Sequence, residues 1–295
     1  MTKKYISYLK YLPFYGISLM PMPILYVVSD GLFFLLYYVF KYRRKVVYDN
    51  LKHAFPSKSS AEIKKIERNF YRHFCDIIFE SIKTLTASKK FVRKHLTLKN
   101  PDFLEHYINE RKNILLYTAH QGNWEWLIFL PIFFPYQANT FYKPLKNKYF
   151  DGLAKRIRER FGVHCVPSEK GYRTLIGLKD SKDPVLNCII GDQSPTKTST
   201  KYWFEFLNRE TAFFTGAEKI AKKTDPVVVF PYFKKWKRGY YELQFQLIDE
   251  KPSLVKNKEL VYKYASTLEN AISSSPELWL WSHRRWKLQL TGDVI

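Results

Sequence analysis

The residues best suited to chemistry lie in one short stretch, Tyr117-Thr-Ala-His120-Gln-Gly-Asn-Trp-Glu125. A buried strand is predicted to end at His120, Gly122 permits a tight turn, and Glu125 falls in the first turn of the next helix. Across such a strand–turn–helix junction the two side chains can face each other. A carboxylate bonded to one imidazole nitrogen fixes the tautomer and leaves the other nitrogen as a general base. We therefore predict a general-base pair; the alternative is that His120 is a structural histidine at a strand end.

The sequence contains no Gly-x-Ser-x-Gly nucleophile elbow. His120 is therefore expected to activate a hydroxyl group of the substrate and not a nucleophile of the protein itself. The tetrahedral oxyanion formed by that attack needs hydrogen-bond donors, and backbone N–H groups near Gly122 are one possible source. These residue types imply no metal and no redox cofactor.

A second polar group, Gly191-Asp192-Gln193-Ser194-Pro195, follows the apolar run Val185–Ile190. Because this run is predicted to be a strand, Asp192 and Gln193 also emerge at a strand end, where α/β folds place their sites. The alternative is an Asx-type turn with no part in the chemistry.

Three arginines, Arg156, Arg158 and Arg160, precede Gly162. A guanidinium group binds phosphate or carboxylate through two parallel hydrogen bonds, so these residues could recognise an anionic substrate. The alternative is a solvated helix face. We choose Arg158 as the contact to the anionic substrate, with Arg156 as its close competitor.

Aromatic and basic side chains are concentrated near the C-terminus, between Leu278 and Lys287. This stretch contains Trp279 and Trp281 followed by His283, Arg284 and Arg285. It is either core packing with a basic fringe or a surface for acidic head groups.

Short apolar runs alternate with helical stretches after residue 45, which is typical of an α/β domain with a substantially parallel sheet. Lys45 to about Leu85 has a helical pattern that Pro56 divides. Beyond it, strands are predicted over Asn113–Ala119, Val163–Pro167, Val185–Ile190, Pro226–Phe233 and Tyr241–Ile248, and helices over Trp124–Phe134, Ala154–Arg160, Gly171–Lys179, Thr215–Thr224 and Lys256–Ile272. No Gly/Ser linker divides residues 46–295.

The first 45 residues indicate attachment to a membrane. Residues 11–40 contain one formal charge, Asp30, and the uninterrupted run Ile24–Phe40 is at the lower limit for a spanning helix. Basic residues follow instead of a cleavage site, so a signal peptide is not expected. Basic flanks on both sides suit a segment that dips into one leaflet as well as one that crosses the bilayer. The alternative is a helix hairpin buried in the core.

The composition excludes a wholly disordered or fibrous chain, since 46% of the residues are hydrophobic and 26% are charged. Lys and Arg number 49 against 27 Asp and Glu, and the resulting charge of +22 predicts an acidic partner. Nucleic acid, an anionic membrane, an acidic carrier protein and a phosphorylated substrate all qualify. A basic RNA-binding or membrane-scaffold protein is the distant alternative, because no RNP-like signature or KH-type loop stands in a convincing context.

Cysteine usage bears on the compartment. Cys75, Cys165 and Cys188 are widely spaced and form no CxxC pair. A disulfide framework or a zinc knuckle is therefore not expected, and a reducing cytosolic environment fits best.

Four blocks, in their order along the chain, resemble the lipid A biosynthesis acyltransferases, the late lauroyl/myristoyl transferase family. The resemblance extends over nearly the whole chain and includes the apolar segment at its start. Four ordered motifs are far more specific than any one alone. The matching blocks are Val47-Tyr-Asp-Asn50-Leu51-Lys-His-Ala-Phe55-Pro56, His120-Gln-Gly-Asn-Trp-Glu125, Asp192-Gln193 and Trp281-Ser-His-Arg284-Arg285-Trp-Lys287.

The resemblance implies an α/β fold of the glycerolipid-acyltransferase type, with a mixed, largely parallel sheet flanked by helices. Residues 1–45 would then be the membrane anchor segment, and residues 46–295 the acyltransferase domain. His120 and Glu125 become the catalytic dyad. The residues implied to bind the substrate or support the site are Arg158, Arg156, Asp192, Gln193 and Asn123.

The same resemblance implies acyl carrier protein as the acyl donor and a hydroxyl of a phosphorylated lipid A precursor as the acceptor, at the cytoplasmic face of the inner membrane. Membrane lipids are expected partners and nucleic acid is not. The sequence departs from the family pattern at Ser194–Thr200, which lacks the usual Asp/Gly-containing continuation, and at Phe206-Leu207-Asn208, where Phe-Phe-Gly is common. A different glycolipid, an aminolipid or a pigment therefore remains the alternative acceptor.

Overall fold

The structure, a computed structural model, describes residues 9–179 and 183–288. Its helices are α1 (Leu12–Leu19), α2 (Met22–Phe34), α3 (Arg44–Ala54), α4 (Ser60–Lys83), α5 (Lys89–His95), α6 (Pro101–Asn109), α7 (Leu130–Phe133), α8 (Lys148–Glu159), α9 (Ser168–Gly177), α10 (Gly216–Thr224) and α11 (Glu259–Ser274). Its strands are β1 (Leu96–Leu98), β2 (Ile114–Thr118), β3 (Gln137–Tyr142), β4 (Val163–Pro167), β5 (Val185–Ile190), β6 (Lys201–Phe206), β7 (Arg209–Phe214), β8 (Val227–Lys237) and β9 (Tyr240–Asp249).

Seven strands form one sheet in the order β1-β9-β8-β2-β5-β3-β4, and β6 pairs with β7 in a separate hairpin. Neighbouring strands of the large sheet are parallel except β8 and β9, which are antiparallel. The predicted mixed, largely parallel sheet flanked by helices is therefore confirmed. Its central strand β2 is buried along its whole length, as expected of a parallel strand covered by helices on both faces.

The two faces of the sheet carry separate cores, because alternate side chains of a strand point to opposite faces. Leu115 and Tyr117 of β2 pack in the cluster that contains residues of α3, α4 and α11. Ile114 and Leu116 pack on the other face, with residues of α6 and α8. This arrangement fixes β2 from both sides, so the loop at its carboxyl end starts from a rigid position.

Strand β3 and the β6–β7 hairpin were not predicted. Strand β3 is rich in polar residues, and only its position between β5 and β4 makes it a strand. The hairpin turns at Leu207 and Asn208, both with positive φ, of 53° and 59°. That conformation is typical of Asn-Gly or Gly-containing turns. Because Leu207 takes the first turn position here, the residue pair that usually predicts a hairpin is missing.

The apolar N-terminal segment packs lengthwise against α4. Helix α2 continues as a π-helical turn over Leu35–Val39, and its buried side chains recur every four residues, at Leu25, Ser29, Phe33 and Tyr37. The opposite face is exposed and apolar apart from Asp30. The predicted anchor segment thus contributes one face to the core and leaves the other uncovered.

Candidate active site

Two loops at one edge of the sheet carry the main polar groups. Strands β2 and β5 are parallel neighbours, and Thr118 pairs with Ile190 at their carboxyl ends. Each strand is followed within two residues by a predicted site residue, His120 after β2 and Asp192 after β5. Because the carboxyl ends of parallel strands meet at the same edge, the pairing of β2 with β5 brings these two side chains together.

His120 is bonded to Asp192 through both its ring and its backbone. Its Nδ1 lies 2.8 Å from Asp192 Oδ1, and its backbone N–H donates to Asp192 Oδ2 at 3.1 Å. The Trp279 indole N–H donates to the same Oδ2 at 2.8 Å. A carboxylate held by three donors keeps its orientation, so Asp192 fixes the His120 ring with Nδ1 protonated and Nε2 free to accept a proton.

The charges of the pair stabilise each other. Burial alone would lower the pKa of His120, but the charge of Asp192 and the hydrogen bond to it outweigh burial and raise this pKa above its ordinary value. Burial would likewise raise the pKa of Asp192, and the His120 cation and the donated hydrogen bonds lower it instead. Asp192 is thus ionised at neutral pH and supports a positive charge on His120 once a proton has been taken up.

Glu125 lines the same cavity as His120, and its ion pair is with Arg158 instead of the imidazole. It lies on a 3₁₀ turn, Trp124–Phe129, and pairs with Arg158 of α8: Nη2–Oε1 is 2.7 Å and Nε–Oε2 is 3.1 Å. Burial acts to raise the pKa of Glu125, but the Arg158 cation lowers it below its ordinary value. The Glu125 charge in turn favours protonated His120, so the two residues act on each other through charge.

A cavity of about 500 Å³ opens beside these groups. His120, Glu125, Arg158 and Gln193 line its polar part, and the Gln193 side-chain nitrogen lies 3.4 Å from His120 Nε2. The remaining wall is largely apolar and is built on β2, β3, β5 and the 3₁₀ turn. Its members include Leu116, Leu127, Ile128, Ala138, Leu186 and Cys188. An apolar wall of this kind can accommodate a hydrocarbon chain.

The sequence profile of the bacterial lipid A biosynthesis acyltransferases matches residues 1–288. The chain belongs to this family. It is accordingly an acyltransferase that transfers an acyl group to a lipid, and the predicted family membership and enzyme class are confirmed. The family is associated with membranes, and among the described residues Met22–Val39 is long and apolar enough to cross one, with a mean hydropathy of 1.6.

Among solved structures, the chain is similar to the crystal structure of the 1-acyl-sn-glycerophosphate acyltransferase PlsC from Thermotoga maritima. The identity is 12%, the match covers 88% of this chain and 100% of that chain, and the TM-score is 0.41. No curated protein gives a significant match.

Two of the predicted substrate-binding residues of this acyltransferase lie away from the cavity. Asn123 is completely buried, and its amide donates to Glu80 at 2.6 Å. The Arg156 guanidinium lies over the Tyr11 ring, 5.3 Å from its centroid, and lines a separate cleft. The helical spacing explains the second difference, since residues two apart on α8 point to different sides. Neither residue is placed to contact a substrate beside His120.

Buried polar side chains of α4 hold the loop that carries His120. Glu80, fully buried, accepts hydrogen bonds from Asn123, from Tyr26 at 2.9 Å and from Tyr241 at 2.8 Å. His73 Nε2 lies 3.1 Å from the Gly122 carbonyl oxygen. These buried polar side chains of α4 were missed from the sequence, where they belong to an ordinary amphipathic pattern.

Gly122 makes the turn of this loop. Its φ is +64°, and a Cβ atom there would lie 2.1 Å from the Phe233 Cβ. The predicted tight turn therefore requires glycine for conformation and for space. The Gly122 N–H donates to the Leu278 carbonyl at 2.8 Å, so it is already occupied and does not serve as the oxyanion donor considered above.

The C-terminal aromatic block holds both loops in place. Gln121 pairs with Trp279, the Leu280 N–H donates to the His120 carbonyl, and the Ser194 N–H donates to His283 Nε2 at 3.2 Å. Asn50 in turn donates to the carbonyl oxygens of Trp281 and His283, at 2.9 and 3.1 Å. The first and last of the four family blocks thus contact each other and position the loops that carry His120 and Asp192.

Core packing, one of two predicted roles of the C-terminal block, is what the structure shows. Trp281 and Arg285 are 0% and 2% exposed, and the Arg285 guanidinium lies over the Phe213 ring, 4.5 Å from its centroid. Burial lowers the pKa of Arg285 to about 10 and that of His283 to about 4. The aromatic side chains of the block are therefore core packing, and Arg284 and Lys287 form an exposed basic fringe at its edge.

Replacing Arg158 tests the pair that it forms with Glu125. In Arg158→Ala the Glu125 carboxylate loses its cation while it remains largely buried, so its pKa is expected to rise and its charge to weaken. A hydrogen bond to a charged group contributes about 1.5–3 kcal/mol, which corresponds to a loss of turnover on the order of 10–100-fold. Arg158→Lys should recover part of this, because lysine keeps the charge without the planar fork.

Arg156→Ala is the matched control, because Arg156 lies on the same helix but outside the cavity. It is expected to retain near-wild-type turnover in the same assay. The Glu125→Gln and Arg158→Ala effects should also be non-additive, since both break one pair. Equal losses in the two arginine variants, or additive losses at Glu125 and Arg158, would contradict this assignment.

Proposed function

We propose that this acyltransferase moves a fatty acyl chain from the thioester of acyl carrier protein to a hydroxyl of a phosphorylated lipid A precursor, at the cytoplasmic face of the inner membrane. The observation that supports it most directly is the His120–Asp192 pair, 2.8 Å apart, at the polar end of a cavity with an apolar wall. The pair supplies a base for the hydroxyl, and the wall supplies a site for the acyl chain.

His120 acts as the general base. Its Nε2 takes the proton of the acceptor hydroxyl as the hydroxyl oxygen attacks the thioester carbonyl carbon. The tetrahedral intermediate then collapses: the carbon–sulfur bond breaks, the new ester remains on the lipid, and protonated His120 returns the proton to the leaving thiolate. Asp192 stabilises the imidazolium between the two steps.

Glu125 and Gln193 complete the proposed mechanism. The Glu125 carboxylate, held by Arg158, raises the basicity of His120 through its charge and is the second member of the predicted dyad. The Gln193 amide reaches to within 3.4 Å of His120 Nε2, so it can donate to an oxygen at the reacting centre. It is the side-chain donor that we assign to the developing oxyanion.

Charge supports the choice of donor and acceptor. The chain carries +22, and both acyl carrier protein and a phosphorylated glycolipid are acidic. Opposite charge speeds the encounter of two proteins and makes it sensitive to salt. Transfer from an acyl carrier protein thioester should therefore slow as the ionic strength rises.

Mass spectrometry of lipids tests this function. Cells that lack the protein should lose one acyl chain from a lipid A precursor, and the mass of that chain identifies the donor length. Re-expression of the wild-type protein should restore the chain, whereas His120→Ala should not. An unchanged lipid A precursor together with the loss of an acyl chain from another lipid would replace the proposed acceptor. Purified enzyme that uses acyl-coenzyme A but not acyl carrier protein would replace the proposed donor.

A further inference from the structure

The tip of the β8–β9 hairpin carries an exposed tryptophan that the site does not use. Trp236 is 66% exposed, and the Lys234 ammonium lies over its ring, 5.4 Å from the centroid. Lys237, also exposed, lies 4.2 Å from the centroid of the Tyr240 ring. This tip therefore presents an exposed indole ring flanked by two lysine ammonium groups.

This tip is fixed against the middle of α2. Arg238 donates to both carboxylate oxygens of Asp30, at 2.7 and 3.0 Å, and to the Tyr26 carbonyl at 3.3 Å. The same guanidinium pairs with buried Asp76 of α4 at 2.6 Å. Asp30 lies about midway between Met22 and Val39, so the hairpin tip lies beside the centre of the apolar helix.

The position of the hairpin tip restricts the orientation of the apolar helix in a membrane. If Met22–Val39 crossed the bilayer, the Arg238–Asp30 pair and the neighbouring lysines would lie at the depth of the hydrocarbon centre, where charges are costly and rare. Helix α4, packed along α2, would carry its own charged residues to the same depth. This cost favours an orientation along the membrane surface, with the buried stripe of the helix toward α4 and its exposed apolar face toward one leaflet.

An orientation along the membrane surface requires an apolar exposed face, and α2 together with its π-helical turn has one. Its side chains are apolar and between 43% and 71% exposed, and they continue over the whole length of the helix. They are Ile24, Val27, Val28, Phe34, Leu35, Tyr38 and Val39. A helix that lies flat at this depth brings the hairpin tip to the level of the lipid head groups.

We propose that the hairpin tip, centred on Trp236, is a second membrane-contact site that binds an anionic bilayer surface beside the apolar face of α2. Tryptophan is enriched at the membrane–water interface, because its ring is apolar and its N–H finds polar partners there. Lys234 and Lys237 are attracted to anionic lipids over short distances. The two contacts together orient the molecule on one leaflet, and this holds whatever acyl acceptor is used.

A fluorophore at the tip tests the contact directly. Trp236→Cys, in a Cys165→Ser/Cys188→Ser background that leaves only the buried thiol of Cys75, is labelled with NBD and reconstituted in vesicles of phosphatidylethanolamine and phosphatidylglycerol. NBD emission is expected to shift to the blue and to be quenched by brominated lipids. Leu254→Cys is the matched control: Leu254 is 78% exposed but follows β9, about 30 Å from the tip along the hairpin. Its label should remain in water.

Two further measurements test the role of the two lysines and the orientation of the apolar helix in the membrane. In the Lys234→Ala/Lys237→Ala protein the NBD shift should weaken, and high salt should weaken it in the protein that keeps both lysines more than in the double variant. Met20→Cys and Lys41→Cys, which flank the apolar helix, should react with an impermeant maleimide from the same side of the vesicle. An unshifted label at position 236, or labelling of the two flanks from opposite sides, would overturn the proposal. Acyl transfer to a detergent-solubilised acceptor should survive Trp236→Ala, so the contact and the chemistry are tested independently.

Discussion

His120→Ala is expected to reduce acyl transfer by at least about 10²–10⁴-fold, the range that general-base assistance usually contributes. The substitution removes the proton acceptor at the cavity while the apolar wall for the acyl chain remains. His120 is at a strand end and outside both core clusters, so folding and membrane association should be nearly unchanged. Turnover per folded molecule, measured beside thermal unfolding of the same preparation, checks both statements.

His164→Ala provides a control for the loss of a histidine as such. His164 is exposed on β4, and its replacement is expected to leave turnover as it is. If His120 were structural, its variant would melt early while the folded fraction kept its specific activity. Near-normal turnover in folded His120→Ala would eliminate the proposed mechanism, whatever the family.

Asp192→Asn should lower turnover by about 10²–10⁴-fold, because the corresponding change in a Ser-His-Asp triad costs about 10⁴-fold. The asparagine keeps the shape of the side chain, but it cannot stabilise the imidazolium by charge. Its amide also presents N–H groups where Asp192 now accepts from the His120 backbone and from Trp279. Substrate binding should change less than the turnover rate, because Asp192 contacts His120 and not the cavity.

The pH profile distinguishes this role from a purely structural one. Asp192 raises the pKa of His120, so the wild-type activity should fall on the acid side as His120 becomes protonated, with a midpoint above about 6.5. In Asp192→Asn the pKa of His120 should fall, so the remaining activity should persist to lower pH than in the wild type. A variant that loses activity with an unmoved acid limb would show that Asp192 only supports the loop.

The strands that carry His120 and Asp192 could be predicted from the sequence, but the pairing of these two strands could not. Both β2 and β5 are continuous apolar runs, and a polar stretch follows each of them. The sequence therefore predicts that His120 and Asp192 lie at strand ends. Which strands are neighbours depends on packing between segments 72 residues apart. The local pattern therefore favoured Glu125 as the partner of His120, whereas the pairing of β2 with β5 supplies Asp192.

The buried polar contacts of α4 show a second limit of sequence-based prediction. Glu80 and His73 lie in a helix with an amphipathic pattern that also buries Glu67 and Asp76, and nothing in the local sequence distinguishes these side chains from exposed ones. The partners of Glu80 and His73 are Tyr26, Asn123 and Gly122, all more than 40 residues away along the chain. Only the packing of α2 and the His120 loop on α4 turns these side chains into support for the site.

The contacts of the C-terminal segment with the loops of His120 and Asp192 have a consequence for the biosynthesis of the enzyme. Trp279 and His283 hold the loops of His120 and Asp192, yet a ribosome adds them only after every strand of the seven-stranded sheet. Synthesis proceeds at about 5–20 residues per second, so about 2–6 seconds pass between the addition of Asp249, the end of the last strand, and that of Trp279. On the proposed mechanism the His120–Asp192 pair lacks the Trp279 hydrogen bond during that interval, so the incomplete chain is not expected to hydrolyse thioesters. A reading-frame error near residue 276 would leave the sheet sequence intact and yield a protein without activity.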